Sequence, residues 1–257
     1  MVHVLPGLAL GSGRNAPVNL KGNDMEDNKN GHDISEHERI NDILLGPLER
    51  PAIAWLVERM PAWVTSDHLT FLGLFAALMI GVSYWATKFS PHFLWLASFG
   101  FVLNWFGDSL DGNLARYRKN ERPKYGYYID HIIDTISEIM IFLGLGLSPY
   151  VDFNLATIGL IGYLCMTIQV YITTNVRGVF KISYGKLGPT EIRVIAILAN
   201  TFIFFVNNPT ITLPFGEIGL YNLIVGAVVV LLFAIFAITV FQEARTLDRE
   251  DRKKWKK

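Results

Sequence analysis

The sequence predicts an all-α polytopic membrane protein, with six transmembrane helices preceded by an N-terminal interfacial amphipathic helix. Three observations predict it. The 257 residues are 51% hydrophobic and 13% aromatic, with a mean hydropathy of +0.31. Six apolar runs approach or exceed the roughly 17 to 25 residues that a helix needs to cross the hydrocarbon core. Of the 23 Lys and Arg residues, 22 fall on one side when both termini are placed in the cytoplasm, and this asymmetry is what orients membrane helices.

Residues 1–34 are rich in Gly, Asn and charge and have no helical or strand periodicity, so a disordered tail is expected there. The opening MVHVLPGLALGSG has no basic n-region, and Pro6 and Gly7 break its apolar stretch. It does not read as a signal peptide, which leaves targeting to the first spanning helix. Residues 35–63 are expected to form a cytoplasmic and interfacial helical segment. Ser35 and Glu38 have capping-box spacing, and Ile40, Ile43 and Leu44 follow at helical intervals. Gly46 and Pro47 then interrupt and restart the helix. From Pro47 to Met60, Leu48, Pro51, Ala52, Trp55 and Leu56 form an apolar stripe, with Glu49, Arg50, Glu58 and Arg59 elsewhere on the wheel. That pattern suits a helix lying in the interface with Trp55 and Trp63 at headgroup level.

Residues 64–245 carry the six spans, at about 66–87, 92–115, 127–147, 155–175, 190–207 and 218–242, separated by turn signals such as Ser90-Pro91, Ser148-Pro149 and Asn208-Pro209. Residues 246–257 are a basic cytoplasmic tail that continues the sixth helix outward. Only Lys88 falls on the far side of the membrane. The net charge is zero, and nothing in its distribution points to a nucleic acid. The single Cys165 lies in an apolar run and reads as a small core residue.

The chain is organised around DSLDGNLARYRKNERPKYGYYIDHIID, residues 108–134. Asp108 and Asp111 are three apart, Asp130 and Asp134 four apart, so on helices each pair projects from one face. A hairpin of the second and third spans would bring four carboxylates to one level near the cytoplasmic surface. An Asp at the centre of a spanning helix costs roughly 2.5 to 3.5 kcal/mol, so four together call for a compensating ligand. Divalent metal fits best, because hard cations such as Mg²⁺ prefer carboxylate oxygens. Two ions about 3.5 to 4 Å apart would be able to clamp a phosphoryl group during in-line displacement.

The neighbouring residues carry weaker signals. Gly107, Gly112 and Ala115 either leave room for a flat group along the second span or serve close helix packing. Arg116, at the cytoplasmic end, is suited to pairing with a phosphate. Gly126 reads as a helix start or a close approach to the second span, and His131 as a packing residue. A second polar group, Arg177, Lys181, Tyr184, Lys186, Glu191 and Arg193, surrounds Gly188-Pro189. It is either an ordinary positive loop with helix capping, or an acceptor pocket in which Arg177, Lys186 or Arg193 binds a phosphate and Glu191 orients a hydroxyl or amine.

Asp108-x-x-Asp111-Gly112-x-x-Ala115-Arg116, nine residues, then Gly126-x-x-x-Asp130-x-x-x-Asp134 resembles the signature of the CDP-alcohol phosphatidyltransferases at all eight fixed positions. The likeness extends over about residues 47–242. It implies an integral-membrane enzyme of phospholipid biosynthesis that transfers a substituted phosphate from a CDP-alcohol to an acceptor hydroxyl and releases CMP, with at least one substrate lipidic. It also implies two divalent ions, Mg²⁺ or Mn²⁺, on Asp108, Asp111 and Asp130, with Asp134 taking the acceptor proton and able to touch a metal. Gly112, Ala115 and Arg116 would contact the CDP moiety together with Asp108 and Asp111, and Gly126 would lie near it. A homodimer is expected on the same ground, and Gly144, Gly146, Gly159 and Gly162 are compatible with the close packing it needs. One departure is Val64-Thr65-Ser66-Asp67 where many members carry Pro-Asn, with Asp67 as a substitute helix cap.

Two other classes of membrane protein use similar residues. Intramembrane prenyltransferases hold a diphosphate through Mg²⁺ with helical aspartate pairs, and Asn104 before Asp108 suits them superficially, but they generally have more than six spans. Their motif also leaves Gly112-x-x-Ala115-Arg116 unexplained. A cation transporter would place its acids near the bilayer midplane, often in repeated halves. Here the acids sit at one surface and no repeat is seen.

Overall fold

The computed structural model describes residues 38–40, 44–177, 179–181, 188–214 and 216–255. The disordered tail expected over 1–34 lies outside them. Among the described residues there are seven helices: α1 (Gly46–Glu58), α2 (Ser66–Ala86), α3 (Phe93–Tyr117), α4 (Pro123–Gly146), α5 (Phe153–Arg177), α6 (Pro189–Val206) and α7 (Leu220–Trp255). Four of them, α2, α5, α6 and most of α7, are long and apolar enough to cross a membrane. α3 and α4, of 25 and 24 residues, are as long but carry the acidic residues. The chain is an all-α, multi-pass membrane protein.

Local chemistry sets the boundaries. α2 begins at Thr65, whose side chain accepts from His68 N–H while the His68 ring accepts from Thr65 N–H, a reciprocal cap. Asp67 is therefore not the cap. It pairs instead with Arg122 in the turn between α3 and α4. α4 and α6 both open on a proline, Pro123 and Pro189, whose missing N–H costs nothing in a first turn.

Two expectations fail at the periphery. The capping-box helix after Ser35 is replaced by a short strand, β1 (Glu38–Ile40), pairing in parallel with β2 (Val179–Lys181) beyond α5. A long-range ladder satisfies the backbone there in place of a local helical turn. The link between α6 and α7, read only as a turn, forms a hairpin of β3 (Thr210–Leu213) and β4 (Gly216–Gly219). Gly216 supplies its left-handed backbone, φ +138°.

α2 lies between α3 and α4. A Cβ on Gly107 would stand 2.6 Å from Gly73 N and Leu69 O, and one on Gly144 would collide with Gly81 Cα and its carbonyl. Glycine lets backbones meet at both crossings. Gly146 packs on Ala156 and Phe153, Gly159 on Phe142 and Val229, and Gly162 on Phe233. All four glycines considered for a dimer surface are thus used inside the chain. At the end away from the aspartates, Tyr84 and Tyr221 hydroxyls both donate to Asn200 Oδ1, at 3.0 and 2.5 Å, and Asn200 donates to Ser98 Oγ at 3.2 Å. This network ties α2, α3, α6 and α7 together.

α1 docks at the acidic end through Ile53, Leu56 and Val57, against Leu69, Leu110 and Leu114. Most of its apolar stripe stays outward: Leu48 is 75% and Trp55 55% exposed.

Candidate active site

The α3–α4 hairpin brings together three of the four aspartates. Asp108, Asp130 and Asp134 each offer a carboxylate oxygen, and these oxygens all lie within 4.8 Å of one another. Asp111 stands apart and is 8% exposed. Its Oδ2 accepts from Thr70 Oγ1 at 2.7 Å and its Oδ1 from Gly112 N–H, while its backbone carbonyl accepts from Ser66 Oγ at 2.8 Å. α2 therefore fixes Asp111 through two hydroxyls. Neither Thr70 nor Ser66 announces this in sequence, because both partners lie more than forty residues away.

Arg193, from α6, reaches the trio. Its Nη2 donates to Asp108 Oδ2 at 2.5 Å and its Nε to Asn104 Oδ1 at 2.9 Å, and Asn104 in turn donates to Gly73 O at 2.9 Å. Among the described residues of the predicted acceptor group, Arg177 and Glu191 have other partners. Arg177 pairs with Glu243 at 2.7 Å and Glu250 at 3.5 Å on α7. Glu191 is buried and accepts from Leu45 N–H at 2.8 Å and Gly188 N–H at 2.9 Å, so both oxygens are engaged by backbone. Lys186 lies outside the described residues.

The aspartates stand in the wall of a cavity of about 1590 Å³. Gly112, Ala115, Arg116 and Gly126 line it as well, and Gly107 does not. Gly107 is the helix-crossing glycine. A Cβ on Gly126 would meet nothing within 4 Å, so close helix approach does not explain that glycine, and the space beside it belongs to the cavity. Arg116 donates to Asn113 Oδ1 at 3.0 Å. His131 is buried between the rings of Tyr127 and Tyr171, at 4.0 and 4.8 Å, as a packing residue would be. Away from the aspartates the lining turns apolar, with Ile141, Leu145, Val225, Val229 and Leu232.

Two side chains have structural roles that their positions in the sequence do not reveal. Arg118, one of the basic residues that orient the spans, also donates to the carbonyls of Met60, Pro61 and Val64 at 3.1, 2.9 and 2.5 Å and closes the α1–α2 link over the end of α3. Glu49 Oε1 accepts from Trp105 Nε1 at 2.7 Å, Ser109 Oγ at 3.2 Å and Thr190 Oγ1 at 2.9 Å. One carboxylate thus pins α1 to α3 and α6.

The donor set fits a divalent cation. Three carboxylates converge, with the guanidinium of Arg193 bonded to one of them, an excess of hard oxygen ligands and negative charge of the kind Mg²⁺ and Mn²⁺ take.

A model of the CDP-alcohol phosphatidyltransferase family matches residues 63–241, which contain every residue of this cavity except those contributed by α1. Among curated proteins, cholinephosphotransferase 1 of Gallus gallus is 30% identical over 163 residues, 59% of this chain and 47% of the relative. That of Homo sapiens is 28% identical over 156 residues, 56% of this chain and 37% of the relative. Phosphatidylinositol phosphate synthase of Cutibacterium acnes is 31% identical over 86 residues, 34% and 39% of the two chains. The alignments thus cover less than half the length of these curated relatives. The family match over most of the chain and the acid-lined cavity within it lead to one conclusion: the protein belongs to the CDP-alcohol phosphatidyltransferase family.

Proposed function

We propose that this chain transfers a substituted phosphate from a CDP-alcohol to the hydroxyl of a lipid alcohol and releases CMP. The observation that carries this reading is the convergence of Asp108, Asp130 and Asp134 within 4.8 Å, at the end of a cavity that is otherwise largely apolar. Nucleotide chemistry needs the first feature and a hydrocarbon tail the second. The relatives' names, cholinephosphotransferase and phosphatidylinositol phosphate synthase, make phosphocholine transfer to a lipid hydroxyl the first reaction to assay.

Asp108 and Asp130 would hold two divalent ions, Mg²⁺ or Mn²⁺, with Asp111 beside them and Asp134 within reach. Bound there, such ions would supply neutralisation of the diphosphate and of the charge developing on CMP. Gly112, Ala115 and Gly126 leave the nucleotide room against α3 and α4, and Arg116 supplies a fork for its phosphate. Asp134 takes the proton of the acceptor hydroxyl as that oxygen forms its bond to the distal phosphorus and the P–O bond to CMP breaks. The proton ends on Asp134, the substituted phosphate on the lipid and the electron pair on CMP, with no covalent enzyme intermediate.

The count of 22 basic residues on one side supports six spans, with α3 and α4 crossing as well, and supports an orientation with both termini and the site on the cytoplasmic side. The outward stripe of α1 suits the interface above the bundle. The domain then runs over 64–245, flanked by a 35–63 interfacial segment and the 246–257 tail.

The test is CMP release by the purified full chain from a panel of CDP-alcohols and lipid alcohols with Mg²⁺ or Mn²⁺. Asp134→Asn is expected to lower kcat about 10²- to 10⁴-fold, the usual worth of a general base, while leaving the fold intact by thermal melting. Wild-type turnover that yields pyrophosphate in place of CMP would sink the reading.

A further inference from the structure

Below the acidic trio, the same face of α4 carries two more polar groups that the chemistry above does not use. Asp134, Ser137 and Glu138 are spaced i, i+3, i+4, so all three project from one side of the helix, and all three line the cavity. Ser137 is 7% exposed. Neither its Oγ nor Glu138 Oε2 has a hydrogen-bond partner among the described residues, and Glu138 Oε1 receives only a long 3.4 Å bond from Thr167. Buried polar atoms are almost always bonded, and leaving one unmet costs about 1 to 3 kcal/mol. Two such atoms in one cavity wall, among apolar neighbours such as Ile141 and Phe142, call for a polar group on whatever fills it.

We infer that Ser137 and Glu138 form a second recognition point in the acceptor site, for a lipid alcohol bearing another hydroxyl on the carbon next to the reacting one. This deepens the transferase reading above and rests on it for which hydroxyl reacts. Four residues of helix separate Asp134 from Glu138 by a rise of about 6 Å. Two hydrogen bonds of about 2.8 Å, joined through two adjacent carbons, cover that rise. A hydroxyl both donates and accepts, so it satisfies Ser137 and Glu138 together whichever state the carboxyl is in. An ester carbonyl only accepts and matches the pair in one state alone.

The test uses two single-chain lipids that differ by one hydrogen-bond donor, 1-O-hexadecylglycerol and its 2-O-methyl ether. Each is titrated onto the full chain in nanodiscs, without nucleotide, and binding is read by native mass spectrometry. Wild type is expected to hold the diol about five- to tenfold more tightly, in line with the net worth of one hydrogen bond. Glu138→Leu should bind both lipids alike, Glu138→Gln should keep most of the preference, and Ser137→Ala should lose part of it. In turnover, Glu138→Leu should raise KM for the diol with kcat little changed. Equal binding of the two lipids by wild type, or an undiminished preference in Glu138→Leu or in Ser137→Ala, would overturn the inference. Because binding is measured without nucleotide, failure to release CMP would refute the transferase reading and leave this result standing.

Discussion

Arg193 bridges two helices at the acidic trio, and its charge must be felt by whatever the carboxylates hold. At a few ångströms and an effective dielectric near 20, one positive charge acts on a cation by about 4 kcal/mol. Arg193→Met should therefore lower the Mg²⁺ concentration giving half-maximal CMP release, on the order of tenfold after screening, while kcat falls because Asp108 loses its anchor. An unchanged Mg²⁺ dependence would separate Arg193 from the metal site. At this scale the sequence was legible wherever spacing along one helix fixes geometry, as for Asp130 and Asp134. It was silent where a side chain answers to a distant partner. Asp111 obeys the same spacing rule but turns to Thr70, and Glu191, a candidate acceptor contact, is taken up by the N–H groups of Leu45 and Gly188.

α1 is held to the bundle by the Glu49 carboxylate and by Ile53, Leu56 and Val57. Glu49 meets Trp105, Ser109 and Thr190, which stand 56, 60 and 141 residues away in sequence, and no local pattern could reveal them. Glu49→Leu removes the acceptor from three donors, each worth about 0.5 to 1.5 kcal/mol and more with a charged partner. Amide exchange over 46–58 should then quicken by about 10- to 100-fold while that of α2 stays unchanged. Protection equal to wild type would mean that Ile53, Leu56 and Val57 suffice to dock the helix. The spans were readable because apolar runs of that length have few alternatives. The β3–β4 hairpin was not, since a two-stranded ribbon of four residues a side carries little periodicity.

For the molecule as a whole, the proposed orientation rests on where charge sits along the chain, which folding does not alter. With Cys165 replaced by Ser, Lys88→Cys and Lys253→Cys should label from opposite sides of sealed vesicles, the second from the cytoplasmic side. Labelling of both from one side would overturn the topology.

The two glycine crossings that seat α2 against α3 and α4 have a consequence for traffic. Backbones in contact leave no seam there for a hydrocarbon chain to part, so that flank is a fixed wall. α6 rests mainly on α3 and only lightly on α7, so under the proposed transfer reaction a tailed substrate is expected to pass from the leaflet through the seam beside α6 and not across that wall.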